Sequence, residues 1–243
     1  MITVDDFVML GRTEPQQTKK NGITVCSIGY SKTLRSLIRV YPIPLGLSVP
    51  KFSVCSVKLI RGNDSRPESF KLPDLKNSLI VGEKLSQKKK KELLEDLKSF
   101  RASSINELNE QRRSTGILIP QQIDGKWKPR KDLSESKRQL EIEGMPKDNP
   151  LFSMPEIPLL SIVNEDGSFN NLQLRDWGCS EFIRRYVITG RYHKNEIWNA
   201  LHFDKPQMLL VGNMRHFPIS WLAVCTFTMK SGSQSRLLQT SLF

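Results

Sequence analysis

Residues 23–41 read ITVCSIGYSKTLRSLIRVY. Ile23–Tyr30 and Leu34–Tyr41 are rich in Val, Ile and aromatic residues, and Phe52–Arg61 (FSVCSVKLIR) repeats the pattern. Gly, Pro and Asn punctuate these runs, which marks short strands joined by polar turns. Three or four such strands predict a small curled sheet or barrel over residues 1–72. Arg35 and Arg39 are four apart in the second run, so strand alternation predicts one face shared with Leu37 and Tyr41. With Lys58 and Arg61 this gives a basic and aromatic surface suited to phosphate and base contacts. The same charges would equally serve as solvated guards of an edge strand.

Working outward, residues 73–130 change character. Leu93, Leu94, Leu97 and Phe100 form an amphipathic stripe that predicts a helix over Leu85–Phe100, with Ser86 as its N-cap. The run Lys88–Lys91 then falls in the first turn, against the helix dipole: it sits on a solvated face or meets phosphate. Asn106–Arg113 continues helical, and Gly116–Pro120 reads as a strand. Next comes GKWKPRK, in which Lys126, Lys128, Arg130 and Lys131 surround Trp127. Read as an exposed loop, it is a stacking platform fenced by cations. Read as an ordinary turn, it folds its Trp back into the core. Residues 131–150 are highly charged and poor in large apolar side chains, a linker or insertion.

The stretch 151–230 is the most apolar. Leu159–Val163 and Leu172–Leu174 flank NEDGS, a hairpin signal. Cys179–Tyr186 and Asn195–Leu201 read as short helices, Met208–Val211 and Ile219–Thr228 as strands. The expected fold class is α+β: a small N-terminal β sheet or barrel, a helical middle segment, and a C-terminal mixed sheet with short helices.

Composition bounds the function. Among 243 residues, 37 Lys+Arg against 25 Asp+Glu give a net +12, while 38% hydrophobic residues suffice for a core. The excess is uneven. Residues 1–72 carry eleven basic and five acidic residues (+6), residues 73–148 seventeen and thirteen (+4), and the rest nine and seven (+2). Such a balance implies an anionic partner, DNA or RNA first. No apolar run reaches membrane-spanning length, and MITVDDFVML lacks the basic start of a signal peptide, so a cytoplasmic protein with no membrane partner is expected. Cys26, Cys55, Cys179 and Cys225 have no metal-ligand spacing, nor do His193, His202 and His216. They predict reduced thiols and neither metal nor cofactor.

Catalytic signatures are sparse. No phosphate-binding loop, dinucleotide fingerprint, nucleophile elbow or zinc-protease motif occurs. Asp64 with Glu68, or Asp176 with Glu181, are the nearest approach to a nuclease's carboxylates. Local pairing with Arg61 and Arg66 explains the first pair, and a helix-capping role explains Asp176. A pocket, where one exists, is expected around Arg175, Asp176, Trp177 and His216.

The last residues carry the sharpest signal. Beyond the spacer SGSQS the chain runs to LLQTSLF, placing two large apolar side chains where a terminus frays. Gln239-Thr240-Ser241-Leu242-Phe243 resembles the pentapeptide, Q-L-[S/D]-L-F, by which bacterial replication and repair proteins bind the β sliding clamp. Thr240 departs from the usual Leu. By that resemblance Gln239 seats the peptide, and Leu242 and Phe243 fill the clamp's apolar cleft. The alternative is that these side chains pack on the chain's own core. Elsewhere, CSIGYS…LIRVYPIP…DSRPES and RDWG…LLVGNMRHFPISWL resemble a bacterial family with no activity to transfer. The resemblance and the charge together predict a nucleic-acid-binding accessory on the bacterial sliding clamp, suited to mobile-element or phage-defence biology. A clamp-recruited nuclease is the alternative.

Overall fold

A computed structural model describes residues 1–18, 21–47, 49–129, 156–188 and 196–229. Its first sheet contains β1 (Ile2–Arg12), β2 (Gln16–Thr18), β3 (Gly22–Ser31), β4 (Ser36–Pro44), β5 (Ser53–Arg61), β6 (Ser69–Lys71) and β7 (Leu79–Lys84). The order is β1-β3-β4-β6-β5, and β5 pairs back onto β1, so five strands close a barrel while β2 and β7 extend it. All barrel pairs are antiparallel except β4 with β6. Closure leaves no open edge within the ring. Alternation fills its interior with Phe7, Met9, Ile38, Val40, Ile43, Val57 and Leu59. The connectivity is that of the OB-type Greek-key barrel, which by itself assigns no function.

The second sheet runs in the order β10-β11-β12-β14-β13-β9-β8. Its strands are β8 (Arg101–Ala102), β9 (Thr115–Leu118), β10 (Gln122–Pro129), β11 (Glu156–Val163), β12 (Phe169–Leu174), β13 (Gln207–Asn213) and β14 (Trp221–Thr228). Four helices accompany it among the described residues: α1 (Gln87–Leu97), α2 (Ile105–Glu110), α3 (Trp177–Ile188) and α4 (Glu196–Ala200). The fold is therefore α+β, with the N-terminal barrel and C-terminal mixed sheet that the residue pattern predicts. No described helix is long and apolar enough to cross a membrane.

Alternation gives the second sheet two different faces. Leu209 and Val211 join Leu160, Ile162 and Leu174 under the helices. Met208 and Leu210 point the other way, with Ile117, Val224 and Phe227, onto the barrel's outer wall of Val8, Leu10, Ile28, Tyr30 and Leu37. Helix α1 closes this seam with Leu93, Leu94 and Leu97, the stripe read from sequence. Ser86 caps it as expected, its Oγ accepting the Lys89 N–H at 3.4 Å. Of the lysine run, Lys88, Lys89 and Lys91 are exposed, whereas Lys90 turns inward over the Phe52 ring at 5.2 Å. Barrel and sheet pack tightly at Gly11, where an added Cβ would come within 2.8 Å of the Cys225 Cβ.

Three expectations change in detail. The first sheet reaches Lys84, beyond residue 72, because β7 pairs with β5. The middle segment holds β8 to β10 as well as its helices. GKWKPRK is no loop as far as Pro129, since Gln122–Pro129 pairs in unbroken register with Glu156–Val163. The 131–150 linker lies outside the described residues.

Candidate nucleic-acid interface

The basic residues predicted on the barrel do not form one face. Arg35 lies in the β3–β4 turn, exposed, with φ 46°. Arg39 is 4% exposed. Its guanidinium donates from Nη2 to the Ser114 carbonyl at 2.8 Å and reaches Cys26 Sγ at 3.8 Å. Burial lowers its pKa, with Cys26 and Glu68 acting against that shift, and an arginine stays charged regardless. Arg39 therefore fastens barrel to sheet and is closed to an external anion, which corrects the shared-face reading. The cause is that the β3–β4 wall, the face an isolated barrel of this class offers to ligands, is sealed by the second sheet. Lys58 stays exposed on β5. Arg61, also exposed, lies over the Phe70 ring at 4.2 Å and donates to the Pro67 carbonyl.

The loop between β5 and β6 completes this end of the seam. Arg66 forks onto Asp64, with Nε to Oδ1 at 2.9 Å and Nη2 to Oδ2 at 2.6 Å, and its Nη1 donates to the Asn213 carbonyl. Burial raises the Asp64 pKa, but hydrogen bonds from Arg66 and Ser69 outweigh it and hold the carboxyl well below its ordinary value. Glu68 accepts from the Ser114 N–H and from Thr115 Oγ1. The Asp64–Arg66 pairing is one half of the local explanation that the sequence offered; the other half is corrected, since Glu68 bonds Ser114 and Thr115 and Arg61 bonds the Pro67 carbonyl.

The residues named for a pocket do not converge. Asp176 caps α3, accepting from the Gly178 N–H at 2.7 Å and the Cys179 N–H at 3.3 Å. Arg175 pairs with Glu14 across the seam and with Gln173. Trp177 opens α3, half-buried. His216 lies on the β13–β14 turn, before β14 begins at Trp221, whereas the Arg175 N–H bonds Ala223 farther along that strand. Sequence reasoning missed Lys51, whose Nζ stands 3.9 Å from Asp176 Oδ2, 3.4 Å from the Thr226 carbonyl and 4.9 Å from the Phe227 ring centroid. It sits in a loop without periodicity, so no local signal marks it. Burial pushes the neighbouring Cys179 and Cys225 thiols far up, and all four cysteines are free. Among the described residues no group of three His, Cys, Asp or Glu side chains is placed to hold a metal.

Among the described residues, the other half of the sheet is left uncovered by the barrel. The barrel covers β9, β13 and β14, but β10 to β12 extend past it. In register, Lys126 lies across from Leu159 and Leu159 from Gln173, while Asp124 lies across from Ser161 and Ser161 from Asn171. Asp124, Lys126, Lys128 and Asn171 are exposed and Ile157, Leu159, Val163 and Gln173 half-buried, so this outward face sets two lysines and one aspartate among polar and apolar neighbours. Trp127 points to the opposite face. Its ring centroid is 5.3 Å from that of Trp198, which in turn stacks on Phe203 at 5.8 Å. Trp198 also lies so tightly over Gly125 that an added Cβ would be 2.1 Å from its ring. Trp127 thus packs, partly buried, against the core under the helices, and the fenced stacking platform is corrected: alternation separates the Trp from its lysines. Arg130 and Lys131 lie outside the described residues, as do Gln239, Leu242 and Phe243.

A family model described as a domain of unknown function, DUF8758, matches residues 4–99. That stretch holds the barrel, β7 and α1, the helix that closes the seam. No curated protein matches the chain.

Proposed function

We propose that this protein is a nucleic-acid-binding accessory, cytoplasmic in bacteria, that docks on the β sliding clamp through Gln239, Leu242 and Phe243. The pentapeptide QTSLF carries the reading. The net charge of +12 supports an anionic partner, and the open β10–β12 face supplies lysines without a covering layer among the described residues. A peptide of this size binds weakly. A second weak contact to DNA multiplies the two affinities through effective concentration, which suits replicating DNA as a target in mobile-element or phage-defence biology. The nuclease alternative needs carboxylates free to hold a metal, whereas Asp64 is engaged by Arg66 and Asp176 caps α3.

Deleting Gln239–Phe243 tests the reading. The truncated protein should melt at the wild-type temperature and fail to co-elute with purified β clamp. Unfolding on truncation would assign these residues to the core, and retained co-elution would place the clamp contact elsewhere.

A further inference from the structure

The β13–β14 hairpin ends in a tip unlike the rest of the surface. Met214 to Ser220 (MRHFPIS) are seven exposed residues in a row. Met214 is 41% exposed, Phe217 62% and Ile219 82%. Single exposed apolar residues need no explanation, but three on one tip form a patch of the kind that marks a contact site. The tip is also held in shape. The Met214 N–H donates to the Ser220 carbonyl and the Ser220 N–H to the Phe217 carbonyl, while Asn213 Nδ2 donates to the Pro218 carbonyl at 3.0 Å. From the barrel, Arg66 grips the Asn213 carbonyl, and Arg215 reaches back to the Asn63 carbonyl. Exposed Arg61 and Arg112 add charge near this end, where the tip contributes Arg215. Because β12 runs parallel to β14, with Gln173 across from Leu222, exposed Phe169 stands at the same end of the sheet.

A stiff hairpin with Phe, Pro, Ile and Met at its apex and arginines at its base has the composition of elements that wedge between base steps. We infer that the Met214–Ser220 tip is a DNA wedge: Phe217 and Ile219 enter a base step and unstack it, while Arg215 and Arg61 hold the flanking phosphates. This rests on the nucleic-acid reading above and names the element that makes the base contact.

The test uses the full chain and a duplex of about 20 base pairs with 2-aminopurine at its centre, whose emission rises on unstacking. Wild type should bind, by anisotropy, and raise the emission. Phe217→Ala with Ile219→Ala should melt as wild type does, bind about tenfold more weakly, the loss of one stacking contact, and leave the emission flat. Wild-type binding with no rise, or an equal rise from the double variant, overturns the wedge and leaves the nucleic-acid reading standing. A change of oligomeric state in the double variant with DNA binding unaltered also overturns it, by making the tip a protein contact. Failure of wild type to bind any DNA at low salt removes both.

Discussion

One face of the second sheet is divided between two environments. Under the barrel, β9, β13 and β14 present Ile117, Met208, Leu210, Val224 and Phe227 to an apolar seam. Beyond it, β10 to β12 present Asp124, Lys126, Lys128 and Asn171 to solvent. The difference lies in what covers each half, and it reassigns the positive charge. A cation in the seam, such as Arg39 of the barrel's β4, bonds backbone across it and acts on stability. A cation on the open half leaves stability alone and is available to an anion.

The largest effect should come from the covered half. Leu210→Ala empties a fully buried position and should lower stability by about 2–5 kcal/mol, read from urea midpoints. Arg39→Ala should follow at about 1–3 kcal/mol, because it empties a buried site in the seam and leaves the Ser114 carbonyl with the Asn213 N–H as its remaining donor. The folded fraction should keep wild-type DNA affinity, and a selective loss of DNA binding would return Arg39 to the interface. Gly125→Ala should cost about 1–3 kcal/mol by forcing Trp198 aside, separating the packed face of β10 from its open one.

The pH dependence sharpens the seam's polar end. The Asp64 carboxyl is held below its ordinary value in the fold. Its contribution is therefore complete above the unfolded carboxylate pKa of about 3.9 and is lost as pH falls toward the folded value. Asp64→Asn should lower stability at neutral pH and flatten the decline below about pH 4, checked by melting temperature against pH. An unchanged slope would mean that Arg66 does not stabilise the charged form. The smallest structural effect belongs to the open half. Lys126→Ala with Lys128→Ala should shift stability by less than about 0.5 kcal/mol. The same pair should reduce the log–log salt slope of duplex binding by about 2.

Most elements were legible because their signals are local. The Leu93, Leu94, Leu97 stripe located α1, and NEDGS located the β11–β12 turn. Strand β1 was harder to see, since Asp5 and Asp6 interrupt its apolar run; in the fold Asp6 fastens the next hairpin, accepting from Ser31 Oγ at 2.5 Å and the Thr33 N–H at 2.7 Å. The interface misled for a different reason. Alternation says which residues share a face but not what covers it, and the carbonyl that binds Arg39 lies 75 residues along the chain. Trp127 was misplaced because GKWKPRK carries the charge and proline of a loop. Taken as a strand, its alternation would have sent Trp127 and the lysines to opposite faces.

Clamp docking through the tail is read from the affinity for DNA carrying a loaded β clamp, measured with and without Gln239–Phe243. Wild type should bind clamp-loaded DNA more tightly than it binds free DNA or free clamp, and the truncated protein should bind it no better than free DNA. Equal affinity with and without the five residues would contradict the account.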